Sequence, residues 1–207
     1  MTAGNPGAVT GVVLAGGRAR RMGGLDKGLV PLNGRPMIEY ALHALRPQVA
    51  DIVINANRNH SRYGAYGYRL IADQMGDYSG PLAGMASAMS IVTTPYVVTV
   101  PCDSPLIAPD LVERLQQALR AREADLAVAH DGQRMQPVFA LLPVRLLDNL
   151  REFLAAGERK IDRWYAQHTV ALADFSDAGE MFINVNTPEE RDAVAAQVAP
   201  PVDQPPG

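Results

Sequence analysis

The chain has 207 residues, of which 47% are hydrophobic and 20% charged, and its formal net charge is -3 at pH 7. This is typical of one globular domain that buries its own core, and it gives no basis for nucleic-acid binding through bulk electrostatics. The single cysteine excludes an intramolecular disulfide and a zinc-thiolate cluster, which fits the cytoplasmic location that we expect.

The two ends of the sequence differ in composition from the part between them. The first nine residues, MTAGNPGAV, have neither a basic nor an apolar segment and predict a disordered lead over residues 1–9 rather than a signal peptide. The proline-rich end predicts a disordered tail over residues 199–207. We therefore expect a single domain over residues 10–198, and no stretch in it is apolar enough to predict a membrane contact.

Short apolar strands alternate with helices along the chain. Strands are predicted at residues 12–14, 51–55, 69–72, 96–100, 126–129, 137–142, 170–173 and 181–186, with Pro137 marking a strand start or an edge. Helices are predicted at residues 36–47, 81–91, 109–122, 144–155, 160–167 and from Pro188 onward. This alternation predicts an α/β fold with three α/β/α layers and a mainly parallel, Rossmann-like sheet.

A glycine-rich, cationic loop follows the first predicted strand. Residues 16–28 contain five glycines and four cations, Arg18, Arg20, Arg21 and Lys27. Exposed backbone N–H groups and fixed cations together suit a polyphosphate. The Walker A motif is excluded because Asp26 precedes Lys27 and Gly28 follows it, and the dinucleotide motif G-x-G-x-x-G finds no register. By itself the loop is also compatible with a flexible basic surface segment.

Three predicted strands end in a polar residue: Asn55, Asp73 and Asp103. The carboxyl ends of parallel strands meet at one edge of the sheet, where ligands bind. A turn or helix-cap role would also explain such residues. For Asp103 we prefer a magnesium ligand, because Mg²⁺ that bridges nucleotide phosphates uses one or two carboxylates.

Other candidate residues have structural explanations. Thr187 and Glu190 form a predicted capping box at a helix start, which leaves Asn184 and Asn186 unexplained. Cys102 is predicted to be a buried small residue and not a nucleophile. Trp164 and Tyr165 are predicted core residues, and the histidines show no metal-ligand spacing: His43, His60, His130 and His168.

The motifs taken together carry a family resemblance. The order Leu-Ala-Gly-Gly, Arg-Met-Gly and Lys resembles the signature of nucleotidyltransferases. Within that superfamily the chain is similar to the molybdenum cofactor guanylyltransferases, also through GPLAGM, PCDSP, HDG and INVNTPEE. The resemblance extends from Thr10 to about Val198.

The resemblance implies a reaction and a nucleotide site. It implies transfer of GMP from GTP to the phosphate of the molybdenum-bound or metal-free pterin cofactor, with Mg²⁺ and release of pyrophosphate. Arg21, Lys27 and Asp103 are the implied catalytic residues, and Asp103 is the implied metal ligand. The implied nucleotide contacts are Leu14, Ala15, Gly16, Gly17, Lys27, Asn55, Asp73 and Asp103.

The resemblance also implies a second substrate site. The stretch from Gly80 to Gly84 is expected to form a wall of the site that a base or the pterin approaches closely, with Gly80 and Gly84 as pterin contacts. Asn184 and Asn186 are expected to position the pterin phosphate or the metal. Arg159 and its neighbour Lys160 are expected to hold that phosphate, although surface charges of this kind are commonly only solvated. The implied partners are GTP, the cofactor and, transiently, cofactor-biosynthesis proteins and molybdoenzyme apoproteins, with no nucleic acid.

Two other functions remain open from the sequence. One is another nucleotidyltransferase, either the cytidylyl relative, which resembles Thr-Ala-Ala-Gly where this chain has Leu14 to Gly17, or a sugar-phosphate enzyme. The other is a nucleotide sensor or carrier without turnover. The presence of both Asp103 and Lys27 argues against a binding-only protein.

Overall fold

The computed structural model describes residues 9–15, 18–19, 25–74, 80–185 and 187–198. Its strands in chain order are β1 (Val9–Leu14), β2 (Arg18–Ala19), β3 (Leu25–Asp26), β4 (Pro31–Leu32), β5 (Arg35–Pro36), β6 (Asp51–Asn55), β7 (Arg69–Ile71), β8 (Tyr96–Pro101), β9 (Leu126–His130), β10 (Met135–Pro143) and β11 (Val170–Asp174). Its α-helices are α1 (Met37–Leu45), α2 (His60–Gly64), α3 (Pro81–Met89), α4 (Leu111–Ala121), α5 (Leu147–Ala155), α6 (Ile161–Tyr165) and α7 (Pro188–Ala195).

A seven-stranded sheet in the order β11-β9-β10-β8-β1-β6-β7 forms the centre of the domain. β1 pairs in parallel with β6 and β8, β6 with β7, and β9 with β11. β10 runs antiparallel to both of its neighbours, β8 and β9. The prediction of a mainly parallel sheet is confirmed, and β10 is its one antiparallel member.

Helices cover both faces of the sheet. Successive residues of a strand point to opposite faces, so the buried strands contribute apolar side chains to both of them. In β1, Val13 belongs to the apolar cluster that includes Leu45 of α1 and Leu115 of α4. Val12 belongs to the cluster on the other face, which includes Met85 of α3 and Trp164 of α6. The three-layer prediction is confirmed, and Trp164 and its neighbour Tyr165 are buried core residues, as expected.

The strand predicted at residues 181–186 is wrong. Gly179–Phe182 is a 3-10 turn, and residues 183–185 have no regular structure. The Phe182 ring packs edge-on against those of Phe139 and Phe175, with centroids 5.1 and 6.1 Å apart. Met181 and Val185 are buried on either side of it. The apolar pattern is therefore satisfied by a turn packed on the domain, and no strand is needed.

Two further details differ from the sequence prediction. Pro137 neither begins β10 nor lies on an edge strand: β10 is interior, and its register with β9 shifts between Gln136 and Ala140. A proline lacks an N–H for the ladder, so it fits at this irregularity. The short helix α2 was not predicted, because it buries only Tyr63 and has no apolar repeat.

The predicted start of α7 is confirmed. The Thr187 hydroxyl accepts a hydrogen bond from the Glu190 backbone N–H, and the Glu190 side chain accepts one from the Thr187 N–H. β1 begins one residue before the predicted start of the domain, at Val9. Over the described part of the chain, no helix has the length and apolarity needed to cross a membrane.

Candidate active site

A cavity of about 440 Å³ opens at the carboxyl ends of the central strands. Most of the residues that line it lie at the ends of β1, β6, β7 and β8 or in the segments that follow these strands, and Val138 comes from β10. The lining residues are Leu14, Lys27, Asn55, Asn57, Asp73, Gly80, Pro81, Pro101, Cys102, Asp103 and Val138. Asn55, Asp73 and Asp103 line the same cavity, so the prediction that they lie close together at one edge of the sheet is confirmed. Asn57, Pro101 and Val138 were not predicted to line the site, whereas Pro81 lies within the stretch Gly80 to Gly84 that was expected to form a wall.

Lys27 and Asp103 face one another in this cavity. Lys27 Nζ donates to Asp103 Oδ2 at 2.7 Å, and the exposed fractions of the two side chains are 23% and 8%. Lys27, near the end of the glycine-rich loop, begins a 3-10 turn, and Asp103 follows β8. The backbone near Asp103 is fixed from both sides, because Cys102 N donates to Leu14 O and Val185 N donates to Asp103 O. The cavity thus has a positive and a negative group held in fixed positions.

Two amide side chains orient the carboxylate of Asp73. Asn55 Nδ2 donates to Asp73 Oδ1 at 2.9 Å, and Asn57 Nδ2 donates to Asp73 Oδ2 at 2.8 Å. Asn57 Oδ1 in turn accepts from the Asp73 backbone N–H at 2.7 Å. Asn57 lies two residues beyond the end of β6, so a second polar residue past the strand end was the only sequence signal for it.

The two glycines predicted to border the pterin lie in different surroundings. Gly80 lines the cavity and has a positive φ of 76°, and its Cα faces the Arg159 carbonyl. Gly84 is buried within α3 behind Asn55: a Cβ there would lie 2.9 Å from Asn55 Cγ and 3.0 Å from Leu14 Cδ2. Gly84 therefore supports the side chain of Asn55 and is not among the residues that line the cavity.

Asn184 lies beside the Asp103 segment. Its Oδ1 accepts a hydrogen bond from the hydroxyl of the buried Ser104 at 2.8 Å. Arg159 is exposed, and its Nη1 donates to the carbonyl oxygens of Leu154 and Glu158, at the end of α5. A Cβ built on Gly80 would lie 3.9 Å from the Arg159 carbonyl oxygen, so the Arg159 backbone is near this wall of the cavity. The contact of the Arg159 side chain with a phosphate stays a prediction.

Some predicted site residues lie outside the described residues: Gly16, Gly17, Arg21 and Asn186. Their roles stay predictions. Of the described part of the loop, Leu14 lines the cavity, whereas the Ala15 N–H donates to Asn55 O at 2.8 Å and ties β1 to β6.

The Cys102 thiol is not activated as a nucleophile, and the described residues hold no preformed metal cluster. Burial, reinforced by the Asp103 carboxylate, raises the pKa of the Cys102 thiol well above its ordinary value, so the thiolate is disfavoured. Among the residues that the structure describes, no three His, Cys, Asp or Glu side chains are grouped to hold a metal ion. The Lys27–Asp103 pair and the oriented Asp73 carboxylate suit the site to charge pairing and alignment.

Comparison with known proteins assigns the family. The family model described as MobA-like NTP transferase domain matches residues 11–172. A molybdenum cofactor guanylyltransferase from Shewanella sediminis is 53% identical over 191 residues, which cover 92% of this chain and 97% of the relative. This chain belongs to the molybdenum cofactor guanylyltransferase family. A family member from Shewanella pealeana is also 53% identical over 191 residues, covering 92% of this chain and 96% of the relative.

The fold is shared with a solved structure. The crystal structure of molybdopterin-guanine dinucleotide biosynthesis protein A from Archaeoglobus fulgidus superposes with a TM-score of 0.76 at 23% identity, covering 91% of this chain and 97% of that one. Membership in the guanylyltransferase family makes this chain a nucleotidyltransferase enzyme, as the sequence motifs predicted.

Proposed function

We propose that the chain transfers GMP from GTP to the phosphate of the molybdenum cofactor, releasing pyrophosphate and forming the guanine dinucleotide. The observation that carries this proposal is the pairing of Lys27 with Asp103 in a cavity whose opposite side holds Asn55 and Asp73. One side offers groups for phosphates, and the other offers groups for a nucleoside. This division suits a nucleoside triphosphate.

Lys27 and the glycine-rich loop bind the triphosphate in this proposal. An ammonium is a compact charge that binds phosphate oxygens, and Lys27 lines the cavity at the start of a 3-10 turn. Arg21 adds a second cation from the loop itself, as its place in the Arg-Met-Gly motif implies. Asn55 and Asp73 contact the nucleoside. The amides of Asn55 and Asn57 hold the Asp73 carboxylate in one orientation, so less of its freedom is lost when the nucleotide binds.

The metal that fits Asp103 is Mg²⁺. The Asp103 carboxylate at the cavity wall is a hard oxygen donor, and the described residues supply no group of three or more His, Cys, Asp or Glu side chains that would bind a metal by itself. Mg²⁺ is commonly bound by one or two carboxylates together with substrate phosphates and water. When bound, it would neutralise charge on the phosphates of GTP.

Alignment and charge neutralisation account for the expected rate acceleration. The attacking phosphate monoester carries about two negative charges near neutral pH, so no strong general base is needed. The main barrier is the approach of two anions, and Lys27 and Arg21 lower it by binding the triphosphate before the second anion arrives. The protonated Cys102 beside Asp103 adds no further negative charge to the cavity.

The second substrate binds next to Gly80 in this proposal. Arg159 contacts the phosphate of the pterin cofactor, and Asn184 and Asn186 orient it toward the α-phosphate of GTP. Two observations support this: Asn184 is bound to Ser104, directly after Asp103, and the Arg159 backbone lies against Gly80 at the cavity wall. In the cell we place the reaction in the cytoplasm, with transient transfer of the product to apoproteins of molybdoenzymes.

The first experiment compares thermal unfolding with GTP, CTP, ATP and UTP, each with and without Mg²⁺. A ligand at about 100 times its Kd adds about 2.7 kcal/mol, which for this length is a shift of about 5 to 10 °C. We expect the shift with GTP and Mg²⁺ alone. A shift with CTP instead would identify a cytidylyltransferase, and no shift with any nucleotide would contradict the triphosphate site.

Turnover is tested separately with the pterin cofactor. GTP, Mg²⁺ and cofactor together should release one pyrophosphate for each dinucleotide formed. Nucleotide binding without pyrophosphate release would contradict the transferase reaction and leave a nucleotide carrier.

A further inference from the structure

The carboxylate of Asp26, directly before Lys27, is buried and held by three side chains. Its exposed fraction is 1%. Tyr63 Oη donates to Asp26 Oδ1 at 2.6 Å, Asn59 Nδ2 donates to Oδ2 at 3.1 Å, and Arg58 Nη2 lies 3.8 Å from the same oxygen. We call these four residues the Asp26 cluster. The reaction described above assigns no role to any of them.

The Asp26 cluster joins two segments that line the active-site cavity. Asp26 is the last residue of β3, whose pairing with β2 places Arg18 opposite Asp26 and closes the base of the glycine-rich loop. The three partners come from the segment between β6 and the middle of α2, just beyond Asn55 and Asn57. The buried carboxylate thus fixes the backbone of Lys27 relative to the nucleoside side of the cavity.

Local geometry at Asn59 and Gly28 is adapted to this contact. Asn59 has a left-handed backbone, with φ 52° and ψ 36°, which a residue other than glycine adopts rarely. It precedes α2 but makes no side-chain cap on the helix, and its amide donates to Asp26 instead. At Gly28 a Cβ would lie 2.8 Å from Tyr63 Oη and 3.2 Å from Cys102 Sγ. A side chain at this position would therefore displace the hydroxyl that binds Asp26.

We propose that Asp26 is a positioning residue, which through Tyr63 and Asn59 holds Lys27 at the place where it meets the phosphates of GTP. This inference rests on the proposed function. Lys27 has a long and flexible side chain, so the position of its ammonium depends on a fixed backbone. The hydrogen bonds to the neighbouring carboxylate supply that fixed point, since they connect Lys27 to the nucleoside side of the cavity and not only to its own loop.

The test compares Tyr63→Phe with a matched control, Tyr66→Phe. Each change removes one hydroxyl near α2, and the Tyr66 hydroxyl donates to Glu39 Oε1 at 3.3 Å instead of to Asp26. We expect Tyr63→Phe to raise the KM for GTP about tenfold, in line with the loss of a residue that orients a ligand-binding group. Tyr66→Phe should leave this KM unchanged, and both variants should remain folded by thermal unfolding.

A double-mutant cycle of Tyr63→Phe with Lys27→Met separates an effect on the position of Lys27 from a general loss of stability. If Asp26 acts through Lys27, then Tyr63→Phe should not raise the KM for GTP further in the Lys27→Met background. Effects that multiply in the double variant, or a KM in Tyr63→Phe that equals that of the control, would overturn the proposal. If Tyr63→Phe does not fold, Asn59→Gly provides the second variant, because glycine accepts the left-handed backbone and removes the amide donor.

The proposed function has its own readout in this experiment. Wild-type protein that binds no GTP contradicts the transferase site, whatever the variants do. Wild-type protein that binds and transfers normally, together with variants that match the control, contradicts only the role of Asp26.

Discussion

Lys27 Nζ donates a hydrogen bond to Asp103 Oδ2 at 2.7 Å and joins two residues that are 76 positions apart in the sequence. Lys27 begins the turn at the end of the glycine-rich loop, and Asp103 follows β8, a central strand of the sheet. The pair places the proposed phosphate-binding cation beside the proposed metal ligand. The two roles are therefore coupled, since moving either side chain changes the electrostatic surroundings of the other.

The ion pair between Lys27 and Asp103 should contribute to the stability of the fold. Lys27→Met and Asp103→Asn should each destabilise the fold, but the double variant should lose less than the sum, with a coupling free energy of about 0.5–3 kcal/mol for residues in contact. Urea unfolding of the four proteins measures this coupling. Additive losses would show that the ion pair contributes nothing to stability.

Alanine variants of the same two residues separate their binding roles. Asp103→Ala should abolish turnover while the protein stays folded, and it should remove the Mg²⁺-dependent part of the GTP thermal shift. Lys27→Ala should weaken GTP binding as well as slow turnover, because a phosphate-binding charge is lost. Near-normal activity in Asp103→Ala would contradict the metal role, and a GTP titration curve unchanged in Lys27→Ala would remove Lys27 from the site.

Asn57 should contribute to nucleotide binding, although it was found only in the structure. Asn57→Ala removes the donor to Asp73 Oδ2 and the acceptor for the Asp73 backbone N–H. A buried hydrogen bond typically contributes about 0.5–1.5 kcal/mol, so the Kd for GTP should rise by about threefold to tenfold if Asp73 contacts the nucleoside.

The control for Asn57 is Asn33→Ala, measured by GTP titration alongside it. Asn33 also donates through its amide, to the carbonyl oxygens of Ala195 and Val198, which are not among the residues lining the cavity. The Asn33→Ala variant should be less stable than wild type but should bind GTP with the same affinity. Equal Kd values in Asn57→Ala and wild type would contradict a nucleoside role for this side of the cavity.

Site residues at the ends of strands could be predicted from the sequence. Site residues that reach the cavity through packing between distant segments could not. Asn55, Asp73 and Asp103 were found because apolar strands end at them and parallel strands share one carboxyl edge. Val138 reaches the cavity from the irregular part of an interior antiparallel strand, and pairing of that kind is not encoded locally. The false strand at residues 181–186 has the same origin, because alternation shows which residues are buried but not which backbone buries them.

Gly84 is predicted to be intolerant of a methyl group. The Cβ of Gly84→Ala would press against the Asn55 amide, which is held by the Ile71 carbonyl and by Asp73. Overpacking of this kind costs about 1–3 kcal/mol, and displacing Asn55 should also weaken GTP binding.

Gly64→Ala is the matched change for Gly84, since it is also a helical glycine but has open space around its Cα. It should leave GTP binding unchanged and stabilise the protein by about 0.4–1 kcal/mol. Thermal unfolding and GTP titration of both variants make the comparison. A Gly84→Ala protein as stable as Gly64→Ala would contradict the close contact with Asn55.

Asp131 should make stability depend on pH in the acid range. Its Oδ1 accepts from the backbone N–H groups of Arg134 and Gln133, both at 2.8 Å, and its Oδ2 accepts from Gln136 Nε2 at 2.6 Å. These donors, the Arg134 N–H first, lower the pKa of the Asp131 carboxyl from 3.8 to about 2. The ionised form is therefore favoured in the folded protein, so its contribution is complete above the unfolded pKa and is lost as pH falls toward 2.

Asp131→Asn removes this titration at the turn that follows β9. The difference in unfolding free energy between wild type and variant should be constant from about pH 7 to pH 5 and should shrink as pH falls further, because the wild-type carboxylate becomes protonated. Urea unfolding at several pH values measures that difference. If it stays constant down to the lowest pH at which both proteins fold, the backbone N–H groups of this turn do not stabilise the carboxylate, and the turn forms for another reason.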